Sequence, residues 1–422
     1  MTEALRDVLV VGAGAREHAI LWGLAKSPGT GRLYAAPGNA GMGELATCLG
    51  FGGVDEICRW AADRKLLVII GPEAPLAEGL TDRLRMAGQA VVGPSQAAAR
   101  LESSKQYAKG VMEQAGIPTA DAITLRDYDT LVDVIARETA WPHVLKQSGL
   151  AGGKGVVVAA SASEARAVAD RWRAQGFDFA GGVLWETCLV GREVSVHVVT
   201  NGREYVWLPL TQDHKRLTAD PSSPNTGGMG AYGPVEGLSG DTVKRINREV
   251  LDPLMQFLAS EALDYRGVLY VGLMLTGDGP KVLEFNVRLG DPEAEVLIPL
   301  LDVDWRAWWW EIAQGRLPAN ELTAAGRHAV AVVMAAQGYP DHPRRGQPLA
   351  IPGDLGPDTM IFHGATRRDA TGLLADGGRV LTVVGMAASR TAARDLAYRA
   401  VSAIEFPHHQ VRPDIAANDC RE

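Results

Sequence analysis

The first hundred residues repeat one pattern, a short aliphatic run that stops at glycine. "DVLVVGAG" leads into "REHAILWGLAKS", and "GRLYAAPGN", "LLVIIGPEAPL" and "AVVGPS" follow. Short apolar runs bounded by Gly or Gly-Pro read as buried strands, and the stretch opening near Arg16 reads as a helix. Strands that alternate with helices pair in parallel. The expected product is a doubly wound sheet, with ligands at the C-terminal edges of its strands.

The character changes after residue 101. "LESSKQYAKGVMEQAGIPTA" reads as one amphipathic helix closed by Gly116 and Pro118, and "HVLKQSGLAGGKGVVVA" as a hairpin with a glycine-rich link. "GGVLWETCLVGREVSVHVVT" is strand, link and strand, and "GVLYVGLMLTGDGPKVLEFNVR" is a hairpin turned at Gly-Asp-Gly-Pro. The segment "TQDHKRLTADPSSPNTGGMGAYGPVEG" has almost no period and is expected to be a long functional loop. "HAVAVVMAA", "RVLTVVGMAA" and a helix near "TAARDLAYRAVSAI" make a smaller α/β tail. With 422 residues the chain needs more than one domain.

A formal charge of -8 leaves no basic excess to displace phosphate counterions, so no nucleic-acid partner is expected. The cysteines, Cys48, Cys58, Cys188 and Cys420, form no CxxC and no zinc spacing, which fits inert thiols in a reducing compartment. "MTEALRDVLVVGAG" carries no export signal, and no apolar run reaches the ~18 residues of a membrane span. A cytoplasmic protein without a membrane partner is expected.

The segment "KVLEFNVRLGDPE" is the first candidate for chemistry. Strict alternation puts Val282, Glu284, Asn286 and Arg288 on one face, and Leu283, Phe285, Val287 and Leu289 on the other. A carboxylate beside an amide oxygen suits a hard divalent cation, and an arginine beyond them can face a transferred phosphoryl group or its acceptor. An outward polar face on a surface strand is the plainer alternative. The second candidate is "KQSGLAGGKG", with Lys146 on the incoming strand, Gly149, Gly152, Gly153 and Gly155 in the link, and Lys154 at its tip. Such a loop lets backbone N–H groups approach phosphate, though it lacks the P-loop signature. The same link could be only a pliable hairpin tip.

Glu186 and Glu193 in "WETCLVGREVS" could accept ribose hydroxyls, or be solvated surface acids. Asp213, His214, Lys215, Arg216 and Asn225 are concentrated in the long loop, where charge among glycines suggests a ligand clamp. "GAGAREHA" and "APGNAG" end two N-terminal strands, and the helix near Arg16 would turn its N-terminus to an anion. No acid follows about 20 residues on, so a dinucleotide site is disfavoured. Trp305, Trp308 and Trp309 have the spacing of a core-facing helix.

These stretches, with "VVGPSQAAARLESSKQYAK", "QGYP" and "GGRVL", occur in an order that resembles the glycinamide ribonucleotide synthetases of the ATP-grasp superfamily over essentially the whole chain. The resemblance implies an α/β protein with an N-terminal doubly wound domain (1–101), a two-lobed ATP-grasp unit (102–317, lid lobe about 120–190) and a small C-terminal α/β domain (325–422). It implies that ATP phosphorylates glycine, and that the amine of 5-phosphoribosylamine displaces phosphate from glycyl phosphate. Glu284 and Asn286 would hold Mg2+ or Mn2+. Lys105 and Lys146, with Gly152, Gly153 and Lys154 in the lid, would bind the nucleotide phosphates. Glu186 and Leu189 would form the adenine hinge, and Glu193 would take the ribose. Asp213 and Arg288 would hold glycine. Gly14, Arg16, Asn39, Lys215, Asn225 and Arg379 are the remaining candidates for substrate. A cytoplasmic monomer acting on small molecules is expected.

The chain departs from the family at several points. Ser148 replaces an acid, Thr187 replaces the second hinge glutamate, and Ala15 stands where glycine is common. "RLGDPE" and "FHGAT" replace "RFGDPE" and "FHAGT". These departures leave open a paralogous ATP-grasp ligase with another acid or amine. A non-catalytic nucleotide-binding protein is the alternative from a different class.

Overall fold

The structure is a computed structural model that describes residues 6–150, 155–220, 223–318, 322, 324 and 326–417. The N-terminal strands lie parallel in the order Thr47–Cys48, Thr30–Pro37, Arg6–Gly12, Leu66–Ile70 and Ala90–Val92. Alternate residues of the central strand enter different cores. Leu9 and Val11 pack with Ile57, Leu84 and apolar residues from beyond position 190, whereas Val8 and Val10 pack with Trp305, Trp308 and Trp309. The tryptophan face is thus core, as its spacing predicts. It is also what seats the helix Trp305–Ala313 against the N-terminal sheet.

Two antiparallel sheets follow. The lid sheet runs Ala122–Leu125, Val183–Thr187, His143–Gln147, Val156–Ala159, with helices Tyr128–Arg137 and Ala162–Ala174 packed on it through Leu131, Ile135, Ala165 and Trp172. The larger lobe carries Tyr205–Trp207, Arg192–Thr200, Gly267–Thr276 and Gly279–Asn286. The expected hairpins, His143–Gln147 with Val156–Ala159 and Gly267–Thr276 with Gly279–Asn286, both form. A third antiparallel sheet collects the C-terminal strands His328–Ala335, Arg379–Ala387 and Thr359–His363 under the helix Arg390–Ala403.

Three sequence expectations need correction. The single helix expected from Leu101 is the end of one helix, Gln96–Ser103, and the whole of a second, Lys105–Gln114. Ser104 is extended and caps the second helix, its hydroxyl accepting from Tyr107 N at 3.2 Å, which places Lys105 in the first turn. The long loop is partly a hairpin. Gln212–Asp213 and Gly230–Gly233 pair and extend the C-terminal sheet beside His328–Ala335. Side-chain periodicity could not show this, because a strand as glycine-rich as Gly230–Gly233 offers no alternating pattern.

The third correction concerns the polar strand. Gly272 faces Glu284 and Leu273 faces Val282, so Leu283 is an inserted residue, a β-bulge. Strict alternation puts Val282 beside Glu284. The bulge sends it instead into the core with Phe285 and Val287, and leaves Leu283 on the cleft. Glu284, Asn286 and Arg288 keep their shared face toward the cleft.

Glu295, in the helix Glu293–Leu300, is fully buried, and neither carboxylate oxygen has a hydrogen-bond partner among the described residues. Burial and then the neighbouring Asp291 push its pKa well above the usual carboxylate value, against the pull of Arg379 and Arg16. The folded state therefore keeps this proton to higher pH than the unfolded chain does, so stability falls as pH rises above the unfolded value. Glu295→Gln should stabilise the protein, by about 1 kcal/mol or more at pH 8 and less at pH 5. Chemical unfolding at both pH values checks this, and a variant less stable at pH 8 would show an ionised, paired carboxylate.

Candidate active site

The three sheets and the N-terminal strand ends surround one cleft of about 1380 Å³. Its centre is a set of ammonium groups and carboxylates on different elements. The Lys146 ammonium, on the lid strand His143–Gln147, lies 2.8 Å from Glu186 Oε2 and donates to the carbonyl of the bulged Leu283 at 3.0 Å. Glu186, on Val183–Thr187, is only 3 % exposed, and its Oε1 lies 3.2 Å from the Lys109 ammonium. Lys105 donates to the carbonyl of Gly149 in the lid link at 3.0 Å.

On the facing side Lys215 lies 3.0 Å from Glu193 Oε1 and 3.2 Å from Glu284 Oε1. Burial opposes a charge on Glu284. Lys215, Lys146 and Lys105 outweigh it and bring the carboxyl down to about 2. Burial likewise opposes the charge on Lys215, but Glu193, Tyr270 and Glu284 hold its pKa well above the ordinary lysine value. Lys105 and Lys109 are pulled below it, chiefly by burial.

Arg288 donates to Glu102 at 2.6 Å, Glu73 at 3.3 Å and Asn286 Oδ1 at 2.8 Å. It orients the amide oxygen that lies on the same strand face as the ionised Glu284. Such a carboxylate–amide pair fits Mg2+ or Mn2+, which takes its remaining oxygen ligands from water and phosphate. Asp213 and Glu293 form an acidic pair. Burial, and then Glu293, push the Asp213 pKa up, while burial raises that of Glu293 against the pull of Lys215 and the 3.1 Å bond from Ser195. Gly228, at φ +113°, permits this packing. A Cβ there would stand 2.8 Å from Asp213 Oδ1 and 2.5 Å from Pro292.

The structure brings most predicted site residues to this cleft. Gly14, Arg16, Lys105, Lys146, Glu186, Leu189, Glu193, Asp213, Lys215, Asn225, Glu284, Asn286, Arg288 and Arg379 all line it. Gly152, Gly153 and Lys154 lie outside the described residues. Asn225 donates to Val156 O at 3.2 Å and so bridges the clamp to the lid. Arg379 grips Asp291 through its carboxylate (3.0 Å) and its carbonyl (2.7 Å). The helix N-terminus at Gly14 already has its anion, because Glu17 Oε2 accepts from Gly14 N at 2.7 Å while Arg16 pairs with Glu17 Oε1.

Asn39 is not among the lining residues. Its amide donates to Ala13 O (2.9 Å) and His363 O (2.6 Å), and its oxygen accepts from Gly41 N and Met42 N, both at 3.0 Å. That uses its ordinary hydrogen-bonding capacity to tie the N-terminal loops to the C-terminal sheet. The sequence reading missed Lys109, Glu293, and the Glu73 and Glu102 partners of Arg288. Lys109 was findable, since it stands one helical turn after Lys105 and shares its face.

A lid sheet and a larger lobe that close on paired lysines and an acid–amide strand define an ATP-grasp enzyme. The Phosphoribosylglycinamide synthetase N domain, ATP-grasp (A) domain and C domain match residues 6–102, 103–294 and 329–418. The chain belongs to the phosphoribosylglycinamide synthetase family. It is 39% identical to the phosphoribosylamine–glycine ligase of Chlorobaculum tepidum, over 97% of this chain and 99% of that protein. It is 41% identical to that of Ralstonia nicotianae, over 97% and 98%. The crystal structure of the Thermotoga maritima phosphoribosylamine–glycine ligase superposes with a TM-score of 0.84 at 34% identity, covering 97% of this chain and 100% of that one. The biotin carboxylase domain of Hydrogenobacter thermophilus 2-oxoglutarate carboxylase shares the fold at 17% identity, with a TM-score of 0.73 over 97% and 92% of the two chains.

The bonding of Asn39 makes it a structural strut. Asn39→Ala should cost about 2–4 kcal/mol in unfolding free energy, because several buried backbone groups lose partners. A loss under about 0.5 kcal/mol, the size expected of an ordinary surface change, would contradict that role.

Proposed function

We propose that this chain joins glycine to 5-phosphoribosylamine at the expense of ATP, giving glycinamide ribonucleotide, ADP and phosphate, the ATP-dependent ligase step of purine biosynthesis. The observation that carries this reading is the convergence of Lys105, Lys146, Glu284, Asn286 and Arg288 in one cleft, in a chain of this family. A carboxylate does not acylate an amine directly, so its oxygen must first take the γ-phosphoryl group. The amine nitrogen then attacks the carbonyl carbon, the C–O bond to phosphate breaks, and the amine gives up a proton.

Positioning and charge screening are what these residues supply. Lys105 and Lys146 face the nucleotide phosphates, and Gly152, Gly153 and Lys154, outside the described residues, complete the set assigned to them. Glu186 and Leu189 border the adenine, and Glu193 accepts from the ribose. A divalent metal, Mg2+ or Mn2+, held by Glu284 and Asn286 supplies positive charge to the phosphates. Arg288 and Asp213 hold glycine by its carboxylate and its ammonium. Gly14, Arg16, Lys215, Asn225 and Arg379 surround the phosphoribosylamine, and Asn39 supports the loops beneath it.

The domain limits 1–101, 102–317 and 325–422, a monomeric state and a cytoplasmic location complete the reading. No helix among the described residues is long and apolar enough to cross a membrane. Of the departures Ser148 and Thr187, only Thr187 has a side-chain bond that accounts for it, and nothing in the structure explains Ser148. Ser148 N bonds Gly182 O at 3.0 Å, and the Thr187 hydroxyl donates to Asp121 O at 3.1 Å. Neither favours a different acid or amine.

ATP turnover with freshly generated phosphoribosylamine and a panel of amino acids should show ADP release with glycine alone. Release only with another acid would assign the chain to a paralogous reaction. Glu284→Ala should lower turnover with glycine by roughly a thousandfold. Unchanged turnover in that variant would remove Glu284 from the metal site.

A further inference from the structure

Glu186 stands between two lysines, Lys109 and Lys146, that both border the cleft. Lys109 Nζ lies 3.2 Å from Glu186 Oε1 and donates to Thr119 Oγ1 and Ala120 O, both at 2.8 Å. Two of its three hydrogens go to these acceptors, and its charge pairs with the Glu186 carboxylate. Lys146 Nζ makes two such contacts, to Glu186 Oε2 at 2.8 Å and Leu283 O at 3.0 Å. Lys146 Nζ has no further protein partner among the described residues, and it lines the cleft with fewer protein acceptors than Lys109.

We infer that Lys109 is a positioning residue for the nucleotide phosphates, acting through Glu186. This rests on the reading of the cleft as a nucleotide site. With Lys146 alone beside it, the buried Glu186 carboxylate would cancel the Lys146 charge, one of the two that face the phosphates. Lys109 takes up one carboxylate oxygen and leaves the three-residue cluster with a positive charge in excess. At this burial a charge a few ångströms away is only weakly screened, so the excess is felt in the cleft.

Lys109 is also fixed where the lobes meet. The Thr119 hydroxyl that accepts from it donates to Val282 O at 2.6 Å, and Val282 N donates to Pro118 O at 2.8 Å. Val282 begins the bulge that presents the Leu283 carbonyl to Lys146. Both partners that orient Lys146 are therefore braced by the same lysine, Glu186 directly and Leu283 through Thr119 and Val282.

Calorimetric titration with ADP and, separately, with adenosine tests this without any need for turnover. Lys109→Met should weaken ADP about tenfold while adenosine affinity stays within about twofold. Lys109→Arg should stay close to wild type, and Lys109→Met/Glu186→Gln should recover most of the lost ADP affinity, because the uncompensated carboxylate is gone. Lys109→Gln, which keeps a donor for Thr119 or Ala120, carries the same test if the methionine variant is insoluble. Equal losses for ADP and adenosine would overturn the inference in favour of a purely structural role. Failure of Glu186→Gln to rescue would overturn it in favour of direct contact with the phosphate. If Lys146→Met also leaves ADP affinity unchanged, the phosphate site itself is misplaced and the inference falls with it.

Discussion

In the strand Gly279–Asn286 one extra residue, Leu283, is accommodated opposite the regular strand Gly267–Thr276, and the geometry of the cleft follows from that insertion. Without it Val282 would share the face of Glu284 and Asn286, and the apolar residues would fall on the wrong side of the sheet. With it, Val282, Phe285 and Val287 enter one core, while the Leu283 carbonyl meets the lid lysine Lys146. The far end of the polar face is held as firmly. Glu102 accepts from Val287 N at 2.8 Å and from Arg288 at 2.6 Å, so backbone and side chain are fixed by one buried carboxylate.

Charge is what this frame organises. Isolated carboxylates or ammonium groups could not be kept ionised at such depth, because the loss of hydration exceeds any local benefit. Here each has counterparts on another element. Glu284 meets Lys215, Glu186 meets Lys109 and Lys146, and Arg288 meets Glu73 and Glu102. The lid, the larger lobe and the N-terminal domain are joined through these pairs, so a nucleotide with its metal enters a field already set for anions. His197 shows the complementary solution. Burial, helped by Arg288, brings its pKa to about 3, and the neutral ring accepts from Gly290 N at 3.2 Å beneath the turn that carries Asp291.

Much of this was legible in the sequence. Glycine-terminated strands forecast the parallel sheet, the tryptophan spacing forecast a core helix, and the ordered resemblance forecast a family to which the chain belongs. What escaped has specific physical causes. A bulge changes the parity of a strand without changing its composition, so alternation alone put Val282 on the wrong face. Ser104 both ends one helix and caps the next, and a helix-compatible pattern runs straight through it. Asn39 ends a strand beside glycines, as a ligand-binding residue would, and only coordinates show that its amide is taken up by backbone groups. Glu73 and Glu102 lie far from Arg288 in sequence, and no local pattern pairs residues at that separation.

The central claim is that this cleft activates a carboxylate by phosphorylation before amide formation. Isotope transfer tests it most directly. Glycine labelled with 18O in both carboxylate oxygens should deliver one labelled oxygen to each inorganic phosphate released with ribonucleotide product, since the bond broken in the second step joins that oxygen to carbon. Release of unlabelled phosphate alongside amide product would contradict an acyl phosphate, and with it the roles assigned to the residues around Glu284 and Arg288.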